Sequence, residues 1–457
     1  MSVVVLPAPF TPNRASNFPC LIDRFKLSTA SLSLYFFVKF LSEPTVVLGL
    51  VAMIGLIAMK NRPSTVIQGT MKTMLGFLIL SAGSSLIASA LTPFSTMFNA
   101  AFGMSGVVPE DNALVAAVQT VLGFETPMIM LLSFVINIIL ARITPFKYIF
   151  LTGHMMFSFA GTMAIVLDQM GINGWMAVAI GSVVQGICMV VFPAIAQPYT
   201  RKILKTDEVA FGFWGSSLIV FSGFVGRLVR KKNRDEETDT WEKVKVSNKL
   251  DFLKDMSILM SIVMIVVYIF TALMAGTEVV SELAGGQNII VYAVIQAMTF
   301  VAGVLVLLQG VRMFLGEIIP AFKGISEKLI PGARPALDVP IFYASGPVAT
   351  TVGFLCAMVG GILATLISTQ LKVVVLPGVI GLFFMGGAAG VFGDKLGGKR
   401  GCVVASFLLG FLFTLIVALA YPLIDVTGYG VEGLWFASTD AILVSVFMRL
   451  IGMIAGV

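Results

Sequence analysis

The chain has 457 residues, of which 58% are hydrophobic and 12% charged, and its formal net charge is +6. An average soluble domain carries about a quarter charged residues, so no water-soluble fold could hide this much apolar surface and the solvent must be lipid. The positive balance then belongs to loops at a membrane surface rather than to nucleic acid, and four cysteines without CxxC spacing beside a single histidine exclude a multi-His metal site and argue against a disulfide framework.

In chain order, residues 1–28 are Pro-rich and polar, with no apolar stretch of signal-peptide length. They are expected to be an N-terminal extension, disordered or an artefact of the start site, and stand outside the fold. A membrane helix needs about 20 apolar residues. Apolar runs of that kind are expected to span at 35–59, 71–91, 127–140, 148–167, 175–196 and 209–228 in a first half covering 29–230. A charged loop follows at 231–255, opened by Arg227, Arg230, Lys231, Lys232 and Arg234, and basic residues at a helix end place it in the cytoplasm. The second half, 256–457, offers runs at 256–275, 289–308, 339–367, 373–392, 403–421 and 441–457. Residues 112–124 and 313–329 are too short or too amphipathic to span, and are expected to be re-entrant or interfacial. The smaller basic loops cannot be assigned a side by counting charges.

The halves echo each other. Leu80, Gly83, Pro93, Phe94, Gly106 and Pro109 match Leu307, Gly310, Pro320, Phe322, Gly332 and Pro335 at an offset of about 227 residues. Downstream, Gly153-His154-Met155-Met156 matches Gly381-Leu382-Phe383-Phe384. A weak duplication with Gly- and Pro-interrupted segments points to a transporter built from two repeats, here read as inverted.

A polar group inside a span is expensive in lipid and is a functional suspect for that reason. Three constellations qualify. The first is Asp111 and Asn112 after Pro109, with Asp338 after Pro335 in the second half. Such residues also cap helices, and a broken helix start offers N–H groups to a ligand as well. The second is the run His154, Met155, Met156, Phe157 and Ser158 after Gly153, in which the imidazole can donate and accept. The third is Phe213-Trp214 between Gly212 and Gly215, an aromatic pair able to stack on a sugar ring or to anchor at the interface.

LTGHMMFSFAG at 151–161 and LLQGVRMFLGEIIPAFKGISEKLIPGARPALD at 307–338 resemble the ascorbate-specific IIC permeases of the bacterial phosphoenolpyruvate-dependent phosphotransferase system. The similarity runs from about Thr45 to the C-terminus. It implies an all-α polytopic membrane protein of about eleven transmembrane helices with re-entrant hairpins and inverted repeats. It further implies a substrate-binding core moving as an elevator beside a V-shaped dimerisation domain, in a homodimer of the bacterial cytoplasmic (inner) membrane. Substrate would leave as a phosphate ester, the phosphate coming from a cytoplasmic phospho-IIB protein charged by IIA. The family's ascorbate contacts fall on Asp111, Asn112, His154 through Ser158, Phe213, Trp214 and Asp338. This chain departs from the family's ascorbate permease, which has His at Phe213, Gln at Ser158 and Thr-Tyr at Asp111-Asn112. Those departures keep a second IIC substrate in view, a small polyol such as galactitol or a pentitol. A proton-coupled secondary transporter using His154 and Asp338 is a further alternative. No nucleophile with an activating base is visible, so the chain is expected to have neither catalytic residues nor a cofactor of its own.

Overall fold

The computed structural model describes residues 44–101, 106–111, 114–115, 121–232, 238–244, 256–328, 330–371, 373–426, 429 and 433–455, and these are mostly helical. The first half contains α1 (Pro44–Ala58), α2 (Pro63–Ala101), β1 (Val108–Pro109) and α3 (Glu125–Ile143). It continues with β2 (Tyr148–Phe150), α4 (Gly153–Gln169), α5 (Gly174–Leu204), β3 (Ala210–Phe211) and α6 (Ser216–Leu228). After a 3-10 turn at Trp241–Lys243, the second half opens with α7 (Met256–Ala275), α8 (Thr277–Ala284) and α9 (Ile289–Lys328). Then come β4 (Arg334–Leu337), α10 (Pro340–Tyr343), α11 (Pro347–Ser368), α12 (Val379–Ala420), β5 (Leu434–Trp435) and α13 (Thr439–Ala455).

Among the described residues, six helices are long and apolar enough to cross a membrane, or seven if α7 and α8, bent by 119° at Gly276, form one span. Exposed Ile, Leu, Val and Phe side chains cover their outer faces, as expected where the solvent is lipid. Residues 313–328 differ from the sequence reading in one respect: they are not a separate element but continue α9 as one helix of 40 residues. Pro320 removes one N–H without ending the helix, because α9 packs along α2 and Lys72 pairs with Glu317 at 3.3 Å. Most of the segment expected to be re-entrant at 112–124 lies outside the described residues. The runs at 373–392 and 403–421 give two helices, which the range of α12 joins across a non-helical break at Gly398 (φ 75°), where the chain folds back so that Gly393 meets Gly401.

Packing sorts the helices into two groups. Helices α1, α2, α7 and α9 pack on one another, while α3 to α6 and α11 to α13 form the second group. Close approach in the first group depends on glycine. A Cβ on Gly83 would stand 2.3 Å from the Leu307 backbone nitrogen, and one on Gly310 would stand 2.3 Å from that of Leu80.

Two small parallel sheets tie the broken elements together. Strand β1 pairs with β5 and bridges Val375, whereas β4 lies between β2 and β3. The first strand of each half therefore pairs with later segments of the other half. Asn137 on α3 closes the outer edge of β2, donating to the Tyr148 carbonyl and accepting from Phe150 N, both at 3.0 Å. An edge strand at bilayer depth needs such a partner.

The ends of the bundle differ in charge. Glu125 accepts from Gly174 N, Tyr429 donates to Asp168 and Gln169 donates to the Asp425 carbonyl, so these residues share one end. The other end gathers Arg142, Lys147, Arg201, Lys202, Lys205 and Arg334 with the Gly398 fold of α12, which carries Lys395, Lys399 and Arg400.

Candidate functional site

Each strand ends near the middle of the bundle, and a helix starts there. Strand β2 leads through Thr152 to α4, β3 through Gly212–Gly215 to α6, and β4 through Asp338 to α10. From the opposite end, β1 leads to Asp111 and β5 through Ala437 and Ser438 to α13. These starts are knitted by backbone and side-chain bonds. Leu151 N donates to the Ala336 carbonyl at 3.0 Å, Gly212 N to that of Leu337 at 2.8 Å, and Thr152 Oγ1 to that of Gly212 at 2.6 Å.

A cavity of about 440 Å³ lies where the starts converge, within the size range of small-molecule sites. The second helix group supplies Glu110, Asp111, His154, Met155, Phe213, Asp338, Phe384, Met385 and Ser438, and the first supplies Thr45, Phe77, Ser81 and Ser85. The cavity is therefore a space between the two groups.

His154 Nε2 stands 3.4 Å from Asp338 Oδ2, with 42% and 18% of their side chains exposed, both toward the cavity. Asp338 Oδ1 also accepts from Val339 N at 2.7 Å, at the start of α10. Across the cavity Asp111 is held by the other hairpin set: it accepts from Ala437 N at 2.8 Å and from the Ser438 hydroxyl. Each carboxylate thus accepts a backbone N–H at a helix start, Val339 N for Asp338 and Ala437 N for Asp111. The remaining polar edges of His154, Asp338, Asp111 and Ser438 can donate to and accept from a hydroxylated ligand. Phe213, Phe384 and Met385 provide apolar faces. Among the described residues, no three His, Cys, Asp or Glu side chains come together as a metal site.

Of the residues singled out in the sequence, Asp111, His154, Met155, Phe213 and Asp338 line this one cavity. Asn112 lies outside the described residues. Met156, Phe157, Ser158 and Trp214 stand behind the wall. Met156 is buried, with its carbonyl accepting from Gln185 at 2.7 Å, and Phe157 is half-buried against the apolar core. Ser158 is buried beside Asp111. Trp214 is fully buried and does not present its ring to a ligand. It stacks on Phe150 at 4.6 Å and donates from Nε1 to the Met155 carbonyl at 2.6 Å. Sequence reasoning missed Ser438, Phe384 and Met385, and gave no role to Glu110 within the polar run at 109–112. Phe384 falls in the 381–384 echo of the His154 motif, and Ser438 opens the polar run Ser438-Thr439-Asp440 at a helix start; either signal could have flagged its residue.

Comparison with known proteins gives two findings. The model of a family described as the sugar-specific permease component of the PTS system, EIIC-GAT, matches residues 39–440. The ascorbate-specific PTS system EIIC component of Mycoplasma pneumoniae is 27% identical over 443 residues, covering 84% of this chain. The chain spans 65% of that relative's length.

Proposed function

The chain belongs to the sugar-specific permease components of the PTS system, and from that premise we propose that it carries L-ascorbate inward across the bacterial cytoplasmic membrane. A separate IIB protein, charged by IIA, would transfer phosphate to the substrate as it is released. The observation that carries this reading is the single cavity in which Asp338 with His154, from one hairpin set, faces Asp111 with Ser438, from the other. The ascorbate named for the Mycoplasma relative supports the choice of substrate.

The chemistry asked of the site is recognition. Ascorbate is a small ring with several hydroxyls and an enolate edge. Its hydroxyls would donate to Asp338 and Asp111, and its anionic edge would turn to His154 and the N–H groups of the helix starts. Two supports favour an elevator-type movement in a chain built of inverted halves, which we further propose to act as a homodimer. The cavity lies between the two helix groups, one of which carries all of its ionisable lining residues, Glu110, Asp111, His154 and Asp338. The close contacts are also reciprocal, Gly83 on Leu307 and Gly310 on Leu80, with the sheets exchanged in the same sense. Reciprocity of that kind is what a two-fold relation between inverted halves produces. The end rich in Lys and Arg would face the cytoplasm.

A second reading has one observation in its favour. Glu110, Asp111 and Asp338 line the cavity together with no Lys or Arg, a wall better suited to a neutral polyol. Uptake of labelled ascorbate against galactitol and pentitols, in vesicles with and without phosphorylated IIB, separates the readings. IIB-dependent accumulation of ascorbate phosphate is the expected result. Uptake that an uncoupler abolishes and that needs no IIB contradicts it.

A further inference from the structure

Asp440 is a buried carboxylate that the transport reading leaves unused. It is fully buried, at the second residue of α13, and does not line the cavity. Its carboxylate accepts from Ser216 Oγ at 2.9 Å, from the Ser217 hydroxyl and from Ser217 N at 3.4 Å, all at the start of α6. In return, Asp440 N donates to the Trp214 carbonyl at 3.3 Å. Helix α6 is reached through β3 from the basic end of the molecule, and α13 through β5 from the opposite end. The contact therefore locks together two hairpins that enter from opposite faces.

A buried carboxylate is retained only where donors replace water. Here two hydroxyls, a backbone N–H and the α6 helix dipole do so. No ligand group is needed to satisfy it, so its role lies in what it holds. Phe213, three residues before the start of α6, lines the cavity. Trp214 holds the Met155 carbonyl, and Met155 follows His154 in the cavity wall. We infer that Asp440 is a positioning residue for substrate recognition: it pins the α6 start to the α13 start and so fixes Phe213 and, through Trp214, the turn that carries His154. The inference rests on the transport reading only in supposing that this cavity takes the substrate.

The test follows two signals in the full-length chain. With 5-fluorotryptophan at its four tryptophans, the ¹⁹F resonance of Trp214 is assigned by its loss in Trp214→Phe. Asp440→Asn and the double variant Ser216→Ala/Ser217→Ala are expected to shift or broaden that resonance and to leave that of Trp175 in place. They should raise the KM for ascorbate uptake about tenfold with the maximal rate held within about twofold, the effect of one lost charge-assisted hydrogen bond. The serine pair keeps the assay informative if a change at Asp440 stops folding. An unmoved Trp214 resonance, or an unchanged KM in both variants, overturns the inference. Asp338→Asn separates the two readings, because it should impair uptake with the Trp214 resonance unmoved. If Asp338→Asn leaves uptake intact, the assignment of the site fails and the Trp214 resonance alone decides the role of Asp440.

Discussion

The pairing of His154 with Asp338 bridges 184 positions of chain, and the polarity of each residue flagged it before any geometry was known. What polarity cannot report is direction. Trp214 carries the same aromatic signal as Phe213, but its ring turns onto Phe150 while Phe213 faces the cavity. Ser438 opens the run Ser438-Thr439-Asp440, which reads as a helix N-cap and does not report which of the three faces a cavity. Asp338→Asn keeps the shape but removes the charge facing His154, leaving the imidazole without its ionic partner in the cavity wall. Ascorbate uptake should weaken at least about tenfold, read as initial rate against concentration; unchanged uptake removes Asp338 from the site.

At the scale of elements, hydropathy located the helices but not their breaks. The runs at 148–167 and 209–228 are as apolar as a continuous span, yet each opens as a strand whose bonding partners lie more than a hundred residues away. Register with a remote strand leaves no trace in a local window. The charged loop between the halves shows the same limit, since its composition reads as solvated. Instead Asp394, fully buried, accepts from the Thr240 hydroxyl and from Trp241 N at 3.0 Å. Glu242 accepts from Ala349 N at 3.0 Å and so caps the start of α11. Burial pushes the Glu242 carboxyl above the ordinary carboxylate range, against the opposing Ala349 N–H bond. The docked turn therefore binds a proton more tightly than the free loop, and docking should loosen as pH rises through that raised value. Proteolysis of the loop should speed up with pH in the wild type and lose that dependence in Glu242→Gln. A wild-type rate flat with pH contradicts this account of the turn.

For the molecule as a whole, composition alone was enough to place the chain in lipid, and matched Gly and Pro positions pointed to a repeat. Sidedness was not, because basic loops occur all along the sequence. Folding collects them. The α12 fold at Gly398 brings Lys395, Lys399 and Arg400 to the end that holds Arg142, Lys147 and Arg334. The positive-inside rule then puts that end in the cytoplasm. With native cysteines replaced, an impermeant maleimide added to intact cells should label Gln287→Cys, between α8 and α9, and spare Lys399→Cys; the reverse pattern inverts the topology.

The central claim is that hairpins from opposite faces of the membrane share one ligand between Asp338 and Ser438. Equilibrium binding of labelled L-ascorbate to the purified wild type, Asp338→Asn, Ser438→Ala and the double variant tests it most directly. Both single variants should bind at least about tenfold more weakly, and the double variant should lose less than their product, as neighbours on one ligand do. Binding as tight as wild type in either single variant would contradict it.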